Sequence, residues 1–295
     1  MSGAAEVTPE LLRAWPLPAV AEQSDKEMRG RVLVLAAGAE VAGATLLTAM
    51  AALRAGAGKL QICAPRSFAL PLALAIPEAR VVPAAETQRG ELAACAAETV
   101  EALMDHCDAA VIGPGMLDED SAGELVRRLL GVAGPALVVD AAAMPALAAD
   151  PEVARRRAGR LVLTPHAGEM ARLAGINVDE LSADPIGRSR EVAARLQAVV
   201  ALKGGSTLVV SPDGKAWRYA GGVPGLATSG SGDVLAGVIA GLLARGGAPV
   251  QAAAWGVFLH GEAGRRLARR LGRLGFLARE LLDEIPGVMA ELEDG

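Results

Sequence analysis

The sequence predicts a three-layer α/β/α fold, in which helices cover both faces of a mostly parallel β-sheet. Short apolar, β-branched runs alternate along the chain with Ala- and Leu-rich stretches of helical periodicity, which is the pattern of doubly wound α/β folds. Most of these runs are apolar on both faces, as strands are when a sheet is buried between two layers. In STLVVSPDGKAWRYA, two strand-like runs flank Pro-Asp-Gly. This turn signal predicts a small antiparallel element at one edge of the sheet.

Seven runs give the predicted strands, and four stretches between them are predicted helices. The strands are expected over residues 31–37, 59–65, 79–83, 108–115, 136–142, 160–166 and 200–205, and the helices over residues 43–55, 91–104, 120–130 and 188–197. No Pro/Gly/Ser-rich linker, charge block or repeat divides the chain. One domain over residues 1–295 is therefore expected.

Composition and charge exclude several classes of function. Hydrophobic residues make up 52% of the chain, and the formal net charge is −5. The chain can bury a large core, whereas nucleic-acid and membrane-surface binding, which need a basic surface, are not expected. Three cysteines without paired spacing predict reduced thiols and neither disulfides nor a zinc site. The first residues carry acids and prolines where a signal peptide would be basic and then apolar, so a cytoplasmic location is expected.

Polar and glycine residues end four of the predicted strands, after their apolar parts at 108–112, 136–139, 161–163 and 200–202. They are Gly-Pro-Gly at 113–115, Asp140, Thr-Pro-His at 164–166 and Lys-Gly-Gly at 203–205. In open parallel sheets, ligands bind beyond the carboxyl ends of the strands. The sequence therefore predicts a site at this edge of the sheet.

The stretch SGSGD at 229–233 begins a long apolar helix. Its glycines predict free backbone amides at Gly230, Ser231 and Gly232, an anion hole of the kind that stabilises a transferring phosphoryl group. Asp233 beside them is placed to take a proton from an attacking hydroxyl. An acid in the first turn is also a common helix cap, and for an isolated Gly-Asp this would be the better interpretation.

The stretch LKGGST ends a predicted buried strand with a lysine and two glycines. A lysine at a strand end is usually just solvated, but beside two glycines it indicates contact with a phosphate-bearing nucleotide. The predicted nucleotide-binding residues are Lys203, Gly204, Gly205, Ser206, Thr207 and Gly232. The order of residues is not that of a Walker A loop.

His166 lies at a strand-to-helix turn in LTPHAGEMARLAG. A lone histidine is more often a structural hydrogen-bonding group, and the three histidines have no metal-ligand spacing. Its place on the predicted rim favours a functional role. Glu169 is most simply a first-turn helix acid. Asp140 is either the cap of the following helix or a substrate or magnesium ligand, and both interpretations stay open.

LTPHAGEMARLAG, LKGGST and GVPGLATSGSGDVLAGVIAGLLARG together resemble the NAD(P)H-hydrate dehydratases, the stand-alone bacterial relatives of the YjeF carboxyl-terminal domain. Residues 29–62 resemble the amino-terminal stretch of that family, and VIGPGM resembles its Gly-Pro-Gly turn. The resemblance covers roughly residues 26–285, which is nearly the whole chain. It implies that the chain is one domain with a ribokinase-like fold. The ordered motifs are specific together, although none is specific alone.

The resemblance implies ADP-dependent dehydration of the S-epimer of hydrated NADH or NADPH (NADHX, NADPHX) back to NAD(P)H. ADP, or ATP, would phosphorylate the C6 hydroxyl so that phosphate can leave, with Mg²⁺ screening the phosphates. Asp233 would deprotonate that hydroxyl, and Ala44, Gly115, His166 and Asp233 would contact the substrate. The resemblance also implies a homo-oligomer, with a tetramer favoured.

The chain departs from the family pattern at several positions. Ala36 and Ala37 replace a usual Gly-Gly pair, Ala142 replaces an Asp, Leu117 replaces a Gly, and Val223 replaces an Asn. The phosphate-facing motifs are intact, so the departures are expected on the substrate-facing rim.

Two other functions use the same residues. A vitamin or sugar kinase of the same fold would use the anion hole and the base but would release a stable phosphate ester. A non-enzymatic nucleotide sensor would keep the nucleotide site and would not need Asp233.

Overall fold

The computed structural model describes residues 3–19 and 26–293, in which ten strands form one sheet. The strands are β1 (Ala5–Glu6), β2 (Arg31–Leu35), β3 (Lys59–Pro65), β4 (Ala79–Ala84), β5 (Ala109–Ile112), β6 (Ala136–Val139), β7 (Leu161–Leu163), β8 (Val199–Leu202), β9 (Thr207–Val210) and β10 (Ala216–Tyr219). Their order is β1-β10-β9-β8-β7-β6-β5-β2-β3-β4. Pairing is parallel except at β9, which is antiparallel to both of its neighbours.

The helices occupy both faces of the sheet. They are α1 (Pro9–Arg13), α2 (Ala42–Arg54), α3 (Ala69–Ala75), α4 (Ala97–Met104), α5 (Glu119–Gly131), α6 (Pro145–Ala149), α7 (Pro151–Arg155), α8 (Ala167–Ala174), α9 (Val178–Ala183), α10 (Pro185–Leu196), α11 (Ser231–Ala244), α12 (Pro249–Leu271) and α13 (Ala278–Glu293). Across the described ranges, no helix is long and apolar enough to cross a membrane.

Two hydrophobic cores lie on opposite faces of the sheet. Within β2, Val32 and Val34 join one core and Leu33 and Leu35 join the other, as the alternation of side chains along a strand requires. The first core is covered by α1, α2, α3 and α11 to α13, and the second by α4 to α10. The predicted three-layer fold with a mostly parallel sheet is confirmed.

The predicted elements differ from the observed ones mainly at their ends. The hairpin of β9 and β10 is present, and β3 has its predicted bounds. The helix expected over residues 91–104 begins only at Ala97. Residues 91 and 92 make other contacts and are not helical. The Glu91 carboxylate accepts the amides of Leu117 and Asp118, and Leu92 pairs with Glu86 in a β-bridge.

Chain order reverses between β2 and β5, which are adjacent although β3 and β4 intervene in the sequence. At such a switch point, a crevice forms beyond the strand ends, because the connections from the two adjacent strands run in opposite directions. The segments that follow β2 and β5 therefore meet beside this crevice.

Helix α11 is buried along almost its whole length and packs closely against α2. A Cβ added at Gly237 would lie 2.2 Å from the Thr48 carbonyl oxygen, and one at Gly241 would lie 2.4 Å from that of Ala52. The small residues of α11 therefore let the two helices approach, and this packing fixes where the first turn of α11 points.

Candidate active site

The first turn of α11 supplies the predicted anion hole. Gly230 is the N-cap with a left-handed φ of 87°, and a Cβ there would lie 2.4 Å from Leu47 Cδ1. The Ser231 amide donates to the Thr228 carbonyl at 3.2 Å, which differs from the expected run of three free amides. Within the described residues, the amides of Gly232 and Asp233 have no acceptor. Helix amides in this position attract anions.

Asp233 is half-buried in the first turn of this helix. Its backbone is fixed by Thr48, whose Oγ1 donates to the Asp233 carbonyl at 3.2 Å. Burial, and then the charge of Asp140, raise the pKa of Asp233 to about 6, while Lys203 acts in the opposite direction. A carboxylate with such a pKa is suited to take a proton near neutral pH.

Lys203 follows β8 and pairs with Asp140, which follows β6. Its Nζ lies 2.9 Å from Asp140 Oδ1 and 4.0 Å from Glu169 Oε2. Thr164 Oγ1 donates to the same Asp140 oxygen at 2.7 Å. Asp140 is buried and makes no capping hydrogen bond in the described structure, so the cap interpretation is wrong, and its carboxylate is paired with the Lys203 ammonium instead.

The ammonium of Lys203 also lies beside the anion hole. A Cβ added at Gly232 would lie 3.3 Å from Lys203 Nζ, so the glycine leaves room for the lysine. A positive charge therefore lies next to the free amides, as phosphate binding requires.

His166 caps helix α8. Its Nδ1 accepts the amides of Gly168 at 3.0 Å and Glu169 at 3.3 Å, and the Glu169 carboxylate accepts the His166 amide at 2.8 Å. Because Nδ1 accepts, a neutral His166 carries its hydrogen on Nε2, which lies 3.3 Å from Glu169 Oε1. The imidazole is 60% exposed, so Nε2 is available to a ligand as well.

Glu169 is the first-turn acid of α8, as the sequence predicts. Burial raises the pKa of its carboxyl, against the effect of the nearby Lys203. Apart from the masked segments, no group of three or more Asp, Glu, His or Cys residues could hold a metal ion. Mg²⁺ bound to phosphates needs only one or two carboxylates, and the hard oxygens of Glu169 fit that requirement.

The first cavity, of about 560 Å³, lies over the ends of β8 and α11. Its walls include the predicted residues Lys203, Gly204, Gly205, Thr207 and Gly232, together with His166, Tyr219, Gly222, Val223, Pro224, Leu226, Ala227, Thr228, Ser231, Leu235, Val257, His260 and Gly261. Ser206, also predicted, is not part of this wall. The walls are largely aliphatic and glycine backbone, so a planar ligand would pack against aliphatic surfaces.

The second cavity, of about 410 Å³, adjoins the first at His166. It is lined by Met116, Leu117, Glu119, Ala141, Ala142, Met144, Pro145, His166, Gly168, Glu169, Arg172 and Leu173. Leu117 and Ala142, two of the departures from the family pattern, line this cavity. Val223, another departure, lines the first cavity.

Gly115 and Ala44, predicted as substrate contacts, meet at the switch point. A Cβ added at Gly115 would lie 2.4 Å from the Ala44 Cβ and 2.9 Å from the Ala37 Cβ. Gly115 has a φ of 68° and precedes Met116, a wall of the second cavity. The two residues are therefore adjacent to that cavity, whereas His166 lies between the two cavities.

Sequence reasoning assigned no role to Thr164, Thr228 or His260. The first two act only through contacts that the fold creates, the Thr164 bond to Asp140 and the Thr228 bond to the Ser231 amide. The signal for His260 was a single histidine inside the apolar stretch WGVFLHG. Its Nε2 lies 2.9 Å from Ser231 Oγ, at the anion hole.

Comparison with known proteins shows which family the chain resembles. The family model described as NAD(P)H-hydrate dehydratase matches residues 32–287. The ADP-dependent (S)-NAD(P)H-hydrate dehydratase of Xanthomonas campestris is 47% identical over 98% of this chain and 97% of its own length. The chain spans about half the length of the bifunctional NAD(P)H-hydrate repair enzymes that it also matches.

Solved structures match over nearly the whole chain. The ADP/ATP-dependent NAD(P)H-hydrate dehydratase of Bacillus subtilis, co-crystallized with ATP/Mg²⁺, is 30% identical with a TM-score of 0.83, covering 99% of this chain and 100% of its own. A ribokinase-like superfamily protein from Enterococcus faecalis, at 23% identity and a TM-score of 0.81, covers 99% of this chain and 97% of its own. The second match concerns the fold alone, and the expected ribokinase-like fold is confirmed.

Proposed function

Since this chain belongs to the NAD(P)H-hydrate dehydratase family, we propose that it catalyses ADP-dependent dehydration of the S-epimer of hydrated NADH or NADPH. One observation carries the assignment of roles. A half-buried carboxylate, Asp233, follows the free amide of Gly232 in a turn beside the Lys203 ammonium. A base, an anion hole and a cation at one point are the parts of a phosphoryl-transfer site.

In the first step, Asp233 takes the proton of the C6 hydroxyl of the hydrate. The hydroxyl oxygen forms a bond to the terminal phosphorus of the nucleotide, and the bond from that phosphorus to the leaving nucleotide breaks. ADP therefore leaves as AMP. The charge on the transferring group is stabilised by the Gly232 and Asp233 amides and by Lys203.

In the second step, the ring nitrogen lone pair expels phosphate from C6, and a proton then leaves C5. The carbon–carbon double bond of the dihydronicotinamide is restored. Phosphorylation serves this step, because phosphate is a far better leaving group than hydroxide. When bound, Mg²⁺ supplies charge neutralisation of the phosphates, and Glu169 is the residue that would hold it.

The two cavities suit the two substrates. We assign the nucleotide to the first cavity, where Lys203, Gly204, Gly205 and Thr207 line one wall, and Ser206 follows these glycines in the same loop. We assign the hydrated dinucleotide to the second, next to Ala44 and Gly115. His166 adjoins both, so the C6 hydroxyl would meet the terminal phosphate near it.

The experiment is incubation of the purified chain with hydrated NADH and ADP, followed by the absorbance of restored dihydronicotinamide and by product analysis. The expected products are NADH, AMP and phosphate. A stable phosphate ester would indicate a kinase instead. Nucleotide binding without turnover of any substrate would indicate a sensor. ATP in place of ADP, and NADPHX in place of NADHX, give the two preferences.

The cytoplasmic location and the homo-oligomer, a tetramer by resemblance, stay predictions. Light scattering on the purified chain measures the oligomer directly.

A further inference from the structure

His260 is a half-buried histidine that the proposed chemistry does not use. It lies in α12 and forms part of the wall of the first cavity. Close packing fixes its place on both sides. A Cβ at Gly256 would lie 2.6 Å from Ile239 Cγ1 of α11, and a Cβ at Gly261 would lie 2.0 Å from Tyr219 Cε1 of β10.

The His260 ring contacts Ser231 twice. Its Nε2 lies 2.9 Å from Ser231 Oγ and 3.0 Å from the Ser231 carbonyl oxygen. A carbonyl can only accept, so the bond to it requires hydrogen on Nε2. Burial lowers the pKa of His260 to about 4, and the charge of Lys203 acts in the same direction, so the ring is neutral at physiological pH.

Ser231 occupies the middle of the anion hole. Its amide donates to Thr228, and its hydroxyl and carbonyl both contact His260. Gly230 and Gly232 on either side have no side chain and allow a wide range of backbone conformations. In the described structure, the two contacts with His260 are thus the side-chain hydrogen bonds that hold residues 230–232.

We propose that His260 is a positioning residue for phosphoryl transfer: through Nε2 it holds Ser231, so that the Gly232 amide and the Asp233 carboxylate stay aligned with the reacting groups. The inference rests on the proposed function. Misplacement of a catalytic group by about 1 Å can cost about a hundredfold in rate. The His260 contacts, which act beside the Thr48 bond to the Asp233 carbonyl, can therefore matter to kcat although His260 transfers neither the proton nor the phosphoryl group.

The matched variants are His260→Gln and His260→Asn. A glutamine amide reaches the place of Nε2, whereas an asparagine amide reaches only the place of Nδ1. We expect His260→Asn to lower kcat, with hydrated NADH and ADP, by about 10- to 100-fold. We expect His260→Gln to keep kcat within about threefold of wild type. Calorimetry should give similar ADP affinities for all three proteins.

The inference is overturned by wild-type kcat in His260→Asn. It is also overturned by loss of ADP affinity at unchanged kcat, because His260 would then be only a wall of the cavity. The low-pH limb of the rate profile, which belongs to Asp233, should persist in His260→Gln. If that limb disappears, His260 is itself the titrating group, and the positioning role is wrong.

A variant of Ser231 tests the same contact without changing His260, so the result does not depend on whether the His260 variants fold. Ser231→Ala removes the hydroxyl contact and should lower kcat less than His260→Asn. The double variant should be no slower than His260→Asn alone, since both remove one interaction. Fully additive losses contradict the inference. Failure of the proposed function is separate: the wild-type chain itself would then not restore NADH from hydrated NADH and ADP, whatever the His260 variants do.

Discussion

The two cavities that meet at His166 are built in different ways. The first is largely aliphatic and glycine backbone, with the Lys203 ammonium, held by the buried Asp140, and the free Gly232 amide in its wall. The second is lined by small and thioether side chains, including Ala141 and Met144, together with the charged side chains of Glu119, Glu169 and Arg172. The first places one cation beside free amides and can recognise a phosphate, whereas the second combines apolar surface with side chains of both charges. The comparison implies that substitutions in the first act on rate and nucleotide affinity, and those in the second on KM.

Asp233→Asn should give the largest effect of the first region. It removes the proton acceptor but keeps the shape, so kcat should fall by about 10²–10⁴-fold. Wild-type kcat/KM should itself fall below the Asp233 pKa of about 6, because a protonated carboxyl cannot act as base. ADP affinity should hold or rise, since a negative charge facing the phosphates is lost. Steady-state kinetics with hydrated NADH between pH 5 and 8 (about one unit either side of that pKa) provide the check.

The same variant has a stability signature. The folded-state pKa of Asp233 is raised, so the ionised form is destabilising, and wild type loses stability as pH rises from the unfolded-state pKa through about 6. Asp233→Asn lacks this loss. It should therefore melt above wild type at neutral pH, with a difference that shrinks in acid. If Asp233→Asn turns over hydrated NADH near the wild-type rate, Asp233 is not the catalytic base.

Lys203→Ala should give the next largest effect. One charge-assisted contact to phosphate is worth about 1.5–3 kcal/mol, so ADP affinity should fall about 10- to 100-fold. The variant also leaves Asp140 buried without its partner, and a lower melting temperature is expected. Calorimetry well below that temperature measures the affinity. Lys215→Ala, in the exposed hairpin, is the control and should bind ADP normally. Equal affinities in the two variants would contradict the nucleotide assignment.

The fold could be predicted from the sequence because it depends on local apolar patterns. The edge that carries the candidate site could be predicted from the rule that ligands bind at strand ends. The same rule brought Asp140, His166 and Lys203 to one edge. The pairing of Lys203 with Asp140, 63 residues apart, could not be read from either motif, since it depends on which strands are neighbours. The contact of His260 with Ser231 depends on helix packing, which glycines at 256 and 261 permit but do not specify.

His166 should separate the two regions on a smaller scale. Asparagine is a good N-cap, so His166→Asn should keep the cap of α8 but lose Nε2. We expect KM for hydrated NADH to rise about three- to tenfold, the value of one hydrogen bond, with ADP affinity unchanged. His166→Ala should show the same KM and also lose about 1 kcal/mol of stability. A fall in ADP affinity at constant KM would move His166 into the nucleotide site.

The smallest expected effect concerns two residues with strained backbones, one in the second cavity and one away from both cavities. Ala141, in the second cavity beside Asp140, has a φ of 44°, and Gln197, at the end of α10 and away from both cavities, has a φ of 51°. A left-handed conformation costs a non-glycine residue about 1–2 kcal/mol, and glycine gives back about 0.5–1 kcal/mol through its greater freedom when unfolded. Ala141→Gly and Gln197→Gly should therefore each raise the free energy of unfolding by up to about 1 kcal/mol, measured by urea denaturation. Only Ala141→Gly should also raise KM for the hydrate, because it frees the turn after Asp140 and removes a methyl from the cavity wall. If both variants keep wild-type kinetics, the strain at Ala141 serves the fold alone, as at Gln197.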